Sequence, residues 1–206
     1  MHTFDDLRVF VDEFADLDLD ANDRDHRINE GYLELCIRSE WTQARKEFGP
    51  GVDGQEAYGL GDDVARILSL RLDGRLLREI TEDTRDAFVS GQTIPARIDM
   101  GTYYIAPDVT GVRQLGLYPT PAGGDPISGR IVRRPSPMLD ATDVPAVPYE
   151  FCGGIVAYAA AKAYAYTEDD PTLADRAMRE FEMCVQRLTQ ARRKFNRSGP
   201  FLMKQM

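Results

Sequence analysis

The chain has 206 residues, 43% of them hydrophobic, which is enough to bury a core and excludes a disordered polypeptide. Its 34 acids against 25 Lys and Arg give a formal charge of -9. That sign excludes general coating of nucleic acid, because phosphate binding is driven by cations that displace counterions.

The two ends carry opposite charge: residues 1–25 hold nine acids against Arg8 and Arg24, whereas residues 191–206 hold Arg192, Arg193, Lys194, Arg197 and Lys204 with no acid. A basic end on an acidic body predicts docking on an acidic protein surface, or on the body's own acids, ahead of nucleic-acid binding. The start MHTFDDLRVF has neither the basic opening nor the apolar run of a signal peptide, which predicts a protein not exported by that route. Cys36, Cys152 and Cys184 each fall in an apolar periodic segment and read as buried small hydrophobes in a reducing compartment.

In residues 3–17, Phe4, Leu7, Phe10, Val11, Phe14 and Leu17 recur at three- and four-residue steps behind a capping Thr3, which predicts a helix with one buried face. After the acidic link DLDANDRD, residues 27–48 carry two adjoining stripes, Ile28-Tyr32-Leu35-Cys36 and Leu33-Ile37-Trp41-Ala44-Phe48, and read as a central helix stopped by GPGVDG at 49–54. The period then shifts to two. Leu68, Leu70 and Leu72 alternate with Ser69 and Arg71, and Asp73-Gly74 supplies the positive-φ residues of a tight hairpin that returns through RLLREI. Residues 81–88 read as a short helix, and GTYYIA, RQLGLY and ISGRIVRR as three more strands, so the middle third is expected to be a small antiparallel sheet.

From Pro148 the helical period resumes through FCGGIVAYAAAKAYAY and then, past TEDDP, through a long stripe from Leu173 to Phe195, with Asp170 as cap and Pro171 at the first helical position. The remainder, NRSGPFLMKQM, reads as an extended tail. The run at 151–166 is too short to cross a bilayer and contains Lys162; its Gly and Ala predict close helix packing with tyrosines wedged alongside, against this chain or a neighbouring subunit.

DLDLDANDRDHR at 16–27 opens like a calcium loop, but Ala21 stands at the sharp-turn glycine and Arg27 at the bidentate glutamate, so it reads as a solvated link. A small cation-binding or hydrolytic protein using residues 16–25 is the alternative from a different class. GPGVDG fits GxGxxG by letter, but it follows a helix and precedes strands, the reverse of a dinucleotide fingerprint. With His2 and His26 as its histidines and no nucleophile or metal-ligand motif, the chain is expected to be no enzyme and to use no catalytic residues, metal or cofactor.

Several short motifs then come together: LYPTP at 117–121, Arg134-Pro135 at a strand end, Asp143, Pro145, Pro148 and Phe151 in a linker, a small-residue helix, an acidic break before Pro171, and an amphipathic helix reaching Leu188. In this combination residues 101–188 resemble the head-to-tail adaptor (connector, head-completion) proteins of tailed bacteriophages, relatives of the tubular proteins of short tails. The resemblance implies an α+β fold: an antiparallel helical bundle with an inserted small antiparallel β-sheet module and an extended C-terminal tail. With the element boundaries above, residues 1–50 are the N-terminal helices, 51–147 the β module, 148–195 the C-terminal helices and 196–206 the tail. It also implies a structural virion protein at the head–tail interface, made in the host bacterial cytoplasm. Its subunits would form a ring, a dodecamer, beneath the portal protein, giving a platform for the tail or stopper, with DNA passing through the lumen without specific binding and no membrane involved. On that reading Arg192, Arg193, Lys194, Phe195, Arg197, Phe201, Leu202 and Met203 meet the portal. Gly153, Gly154, Tyr158, Ala161, Tyr164 and Tyr166 pack subunit on subunit. A cytosolic protein-interaction module shares every feature except the segment 101–188.

Overall fold

The computed structural model describes residues 2–15, 19–90, 101–107, 110–167 and 171–197. It divides into two compact units, one built from residues 1–42 and 134–206, the other from 43–133. Four helices make the first unit: α1 (Phe4–Ala15), α2 (Ala21–Ser39), α4 (Cys152–Thr167) and α5 (Pro171–Arg197). The second holds α3 (Glu82–Val89) and the strands β1 (Gln43–Pro50), β2 (Ala57–Gly59), β3 (Val64–Leu72), β4 (Arg75–Glu79), β5 (Thr102–Pro107), β6 (Arg113–Tyr118) and β7 (Pro126–Arg133).

Local sequence explains where the helices of the first unit begin and end. Thr3 and Asp6 cap α1 reciprocally, Asp6 N–H donating to Thr3 Oγ1 (3.2 Å) and Thr3 N–H to Asp6 Oδ2 (2.8 Å). Asp20 caps α2 by accepting from Asn22 N–H (2.9 Å). That helix stops at Ser39, because Glu40 turns left-handed (φ 55°) and the N–H groups of Glu40 and Trp41 close back on Ile37 and Cys36. The expected helix over 27–48 is therefore corrected: Gln43 to Pro50 form β1, paired along its length with β7. Trp41, Ala44 and Phe48 recur at helical steps, but Trp41 lies in the turn, its indole N–H donating to Ala146 O (2.8 Å), while Ala44 and Phe48 sit in the strand against the sheet core. The helix α5 also runs past the expected start of the tail, to Arg197.

The core of this unit collects Phe4, Leu7 and Val11 of α1, Ile28, Tyr32, Leu35 and Cys36 of α2, Ile155 and Tyr158 of α4, and Phe181, Val185 and Leu188 of α5. Cys36 and Cys152 are buried, Cys184 is partly buried, and all three are free thiols. Burial pushes the Cys36 thiol up to about 12 and Cys152 to about 11, so neither is a thiolate near neutrality. Residues 134–151 form a strap over α1 and α2. Asn29 holds Met138 through both its backbone groups (2.7 and 3.0 Å), and Tyr32 OH accepts from Ala146 N–H (2.9 Å). Asp143 accepts from the N–H groups of Leu139 and Asp140 (2.7 and 2.9 Å), while its own carbonyl accepts from Phe4 N–H at the start of α1 (2.7 Å). Asp143 of the linker motif thus fixes the backbone course at the start of α1.

The strands correct the expected fold class more deeply. In place of a helical bundle carrying a small antiparallel sheet, the described strands form one seven-stranded mixed sheet in the order β1-β7-β3-β4-β5-β6-β2, with β4 and β5 parallel. A parallel pair cannot be joined by a tight turn, and α3 lies between β4 and β5 in the chain. Asp73 (φ 47°) and Gly74 (φ 73°) join β3 to β4 as the sequence predicts. One face of the sheet is apolar, and its Tyr58, Leu60, Val64, Ile67, Leu70, Leu77, Tyr103, Leu115, Leu117, Ile127 and Ile131 form a single cluster. Tyr58 comes from β2 at one end of the order, and Ala44 and Phe48 of β1 at the other end pack against the same cluster, so the sheet must curl over its own apolar face.

Across that sheet Glu56 accepts from Tyr104 OH (2.5 Å) and from Nε and Nη2 of Arg85 on α3 (2.9 and 2.7 Å). The Tyr104 hydrogen bond, followed by those from Arg85, holds the Glu56 carboxyl below its ordinary 4.5; burial and Glu56 push Tyr104 up to about 12. A carboxylate with a lowered value stabilises the fold above its ordinary range and loses that contribution as pH falls through it; a tyrosine with a raised value loses its contribution as pH rises above 10. Thermal melting against pH is therefore expected to decline on both sides of a plateau. Glu56→Gln should flatten the acid limb and lower the plateau.

Candidate functional site

The residues expected to matter lie on α4 and the far end of α5. As numbers rise along α4 they fall along α5: Gly154 lies beside Cys184, and the rings of Tyr158 and Phe181 meet edge to face at 5.0 Å, so the two helices run antiparallel. Gly154, Tyr158, Ala161 and Tyr164 are all buried inside the chain. Tyr158 OH donates to Glu30 (2.9 Å), and Tyr164 OH to the last carbonyls of α1, Ala15 O (2.9 Å) and Phe14 O (3.2 Å). These tyrosines keep an apolar body in the core and a hydroxyl on a polar partner. The close packing legible in the small-residue stretch is thus satisfied by α1, α2 and α5 of the same chain. Gly153, whose missing side chain faces open space, and Tyr166, 74% exposed under the guanidinium of Arg27, are left at the surface.

At the end of α5 the expected cations part company. Arg192 turns inward onto Glu40, the residue that ends α2, with side-chain exposures of 13% and 21%. Arg193 and Lys194 are exposed. Phe195 and Arg197 belong to the helix, and Phe201, Leu202 and Met203 lie outside the described residues. Arg192→Ala is therefore expected to loosen the α2–α5 contact, costing about 1–2 kcal/mol in urea unfolding, since it removes a charged hydrogen bond between two largely buried side chains. Arg193→Ala should stay within about 0.5 kcal/mol of the parent.

Two described acids of the acidic link make local contacts. Asp20 caps α2. Arg8 grips Asp25 through two hydrogen bonds (2.8 and 2.5 Å), and Arg24 meets Asp12 (2.6 Å). Among the described residues no group of three His, Cys, Asp or Glu is placed to hold a metal ion, and no helix is long and apolar enough to cross a membrane. Asp16, Asp18 and the expected cap Asp170 lie outside the described residues.

Sequence reasoning missed a surface on the sheet unit. The face of β1, β7, β3 and β4 turned away from the core forms a hollow of about 830 Å³, lined among others by Arg45, Arg71 and Arg130, with Glu47 as its acid. It is basic, on a chain of net negative charge. Strand register sets it up: Arg45 lies directly opposite Arg130, and Ser128 between Glu47 and Arg71. Alternation placed these side chains outward, but their adjacency follows from the order β1-β7-β3, which nothing in the sequence announces.

Two separately cored units, one with a basic hollow and the other with an acidic amino-terminal stretch, are features of a protein that presents surfaces. Residues 3–202 match the family model described as SU10 adaptor protein, and the chain belongs to that family. It is a bacteriophage adaptor, a structural component of the virion that works with other head and tail components. No curated protein matches it.

Proposed function

We propose that the chain is the ring-forming adaptor of the head–tail interface. Its subunits assemble as a closed ring, a dodecamer, beneath the portal protein and present the platform on which the tail or stopper attaches, while DNA passes through the lumen. The observation that carries this reading is the family match, which runs through both units and past the end of α5. Arg193, Lys194 and Arg197 lead into a segment containing Phe201, Leu202 and Met203. Cations beside apolar anchors suit a portal surface with an acidic rim and apolar crevices. Gly153 and Tyr166, at the surface of α4, suit a lateral contact between subunits.

Electron microscopy of the protein alone and mixed with its portal tests this. Rings seated on portal particles, lost when residues 198–206 are deleted, are the expected result. A chain that sediments as a monomer at every concentration and leaves portal particles undecorated would end the proposal.

A further inference from the structure

We infer that the basic hollow of the sheet unit receives the acidic amino-terminal face of a second copy of this chain; the inference rests on the ring proposed above and names the contact that would hold it together. Arg45 and Arg130 stand directly opposite each other on paired antiparallel strands. Like charges so placed destabilise a sheet unless something anionic lies between them. Arg130 donates to Gln43 Oε1 (2.7 Å) and Arg71 to Gly74 O (2.8 Å), so neither is neutralised by these bonds, and Arg45 points into solvent. Glu47 is outnumbered three to one by these arginines.

The lip of the hollow favours a protein over a nucleic acid. Leu76 is 50% exposed and stands with Pro50 and Pro126 beside the arginines. Apolar side chains mixed with arginine are the composition of protein interfaces, whereas phosphate contacts need no such lip. Guanidinium forks also match carboxylates in pairs.

The chain itself carries the complement. Residues 1–25 hold nine acids and two arginines, and both arginines are engaged locally, Arg8 by Asp25 and Arg24 by Asp12. Glu13, Asp20 and Asp23 are exposed and stand outside those two pairs, so the excess charge faces outward. A basic hollow on one unit and an acidic face on the other form a heterologous pair, the kind of contact that repeats around an axis and can close a ring.

The test is a charge swap in the full chain, read by sedimentation velocity at about 50 mM and about 500 mM salt, a range over which screening of exposed charges changes strongly. Arg45→Glu with Arg130→Glu, and separately Glu13→Arg with Asp23→Arg, should each weaken self-association at least about tenfold. Mixing the two variants in equal amounts should restore it, because each then meets a complementary face. Arg45→Gln with Arg130→Gln, with an unchanged melting temperature, guards against misfolding. Variants that assemble like the parent would overturn the inference and leave the ring standing. So would a mixture that stays dissociated, or duplex DNA binding lost in the hollow variant while assembly persists. A parent chain that never assembles would instead remove the ring itself.

Discussion

Gly154→Val is expected to destabilise the helical unit by about 3 kcal/mol, within the range for overpacking a core that cannot yield. A Cβ at this position would lie 2.6 Å from Cys184 Sγ and 2.9 Å from Cys184 Cβ. The sulfur could rotate, but Cβ is fixed by the backbone of α5, so α4 and α5 would have to part. Leu35 Cδ2 closes the space from the side of α2 at 3.6 Å. Separation is costly because the same crossing holds the Tyr158–Phe181 contact and the fully buried Phe181 and Leu188. Gly153, one residue earlier, is the internal control. A Cβ there would meet no atom within 4 Å, so Gly153→Ala should stabilise the helix by up to about 1 kcal/mol. Urea midpoints for the two variants should therefore move in opposite directions. Equal shifts would mean that glycine flexibility, and not close approach, explains this stretch.

That contrast marks what was legible in the sequence. The crowding of small residues at 151–166 announces close approach, yet each glycine's partner lies in another element. A Cβ on Gly154 would run into Cys184, and one on Gly31 of α2 would fall 3.0 Å from Ile155 O and 3.1 Å from Tyr158. Features set by neighbours in sequence were readable: the Thr3 cap, the Asp73-Gly74 turn, the short helix after Thr81, and the strands β5 to β7. Features set by distant pairing were not. Residues 43–50 form a strand because β7 pairs with them, although their apolar spacing continues that of α2. The parallel β4–β5 pair and the strand order have no local signature. Arg192 looked like one of a set of tail cations, and only the fold brings Glu40, far away in sequence, against it. Opposite net charge at the two ends was visible from the start, but the basic hollow was not. Its arginines stand at positions 45, 71 and 130 and meet only through register.

In the sheet unit, Gly116→Ala is expected to cost about 3 kcal/mol, since the new methyl group would demand space already filled by an aromatic ring. Gly116 on β6 lies directly opposite Tyr104 on β5, and a Cβ there would fall 2.1 to 2.5 Å from atoms of the Tyr104 ring. An aromatic side chain laid over a cross-strand glycine covers the backbone that the glycine leaves bare. Here the ring must stay, because its hydroxyl is one of the donors that hold Glu56 alongside Arg85. Displacing it would expose the ring and leave a partly buried carboxylate short of a donor, so the clash spreads to α3 through Arg85. Gly59→Ala on the neighbouring β2 has open space and should change stability by less than about 1 kcal/mol. If the ring is the obstacle, Tyr104→Ala should cost stability by itself, but adding Gly116→Ala to it should cost little more. The double-mutant cycle would then show a coupling of about 1–3 kcal/mol between the two positions. Strict additivity would place the glycine's role in its backbone and not in the ring above it.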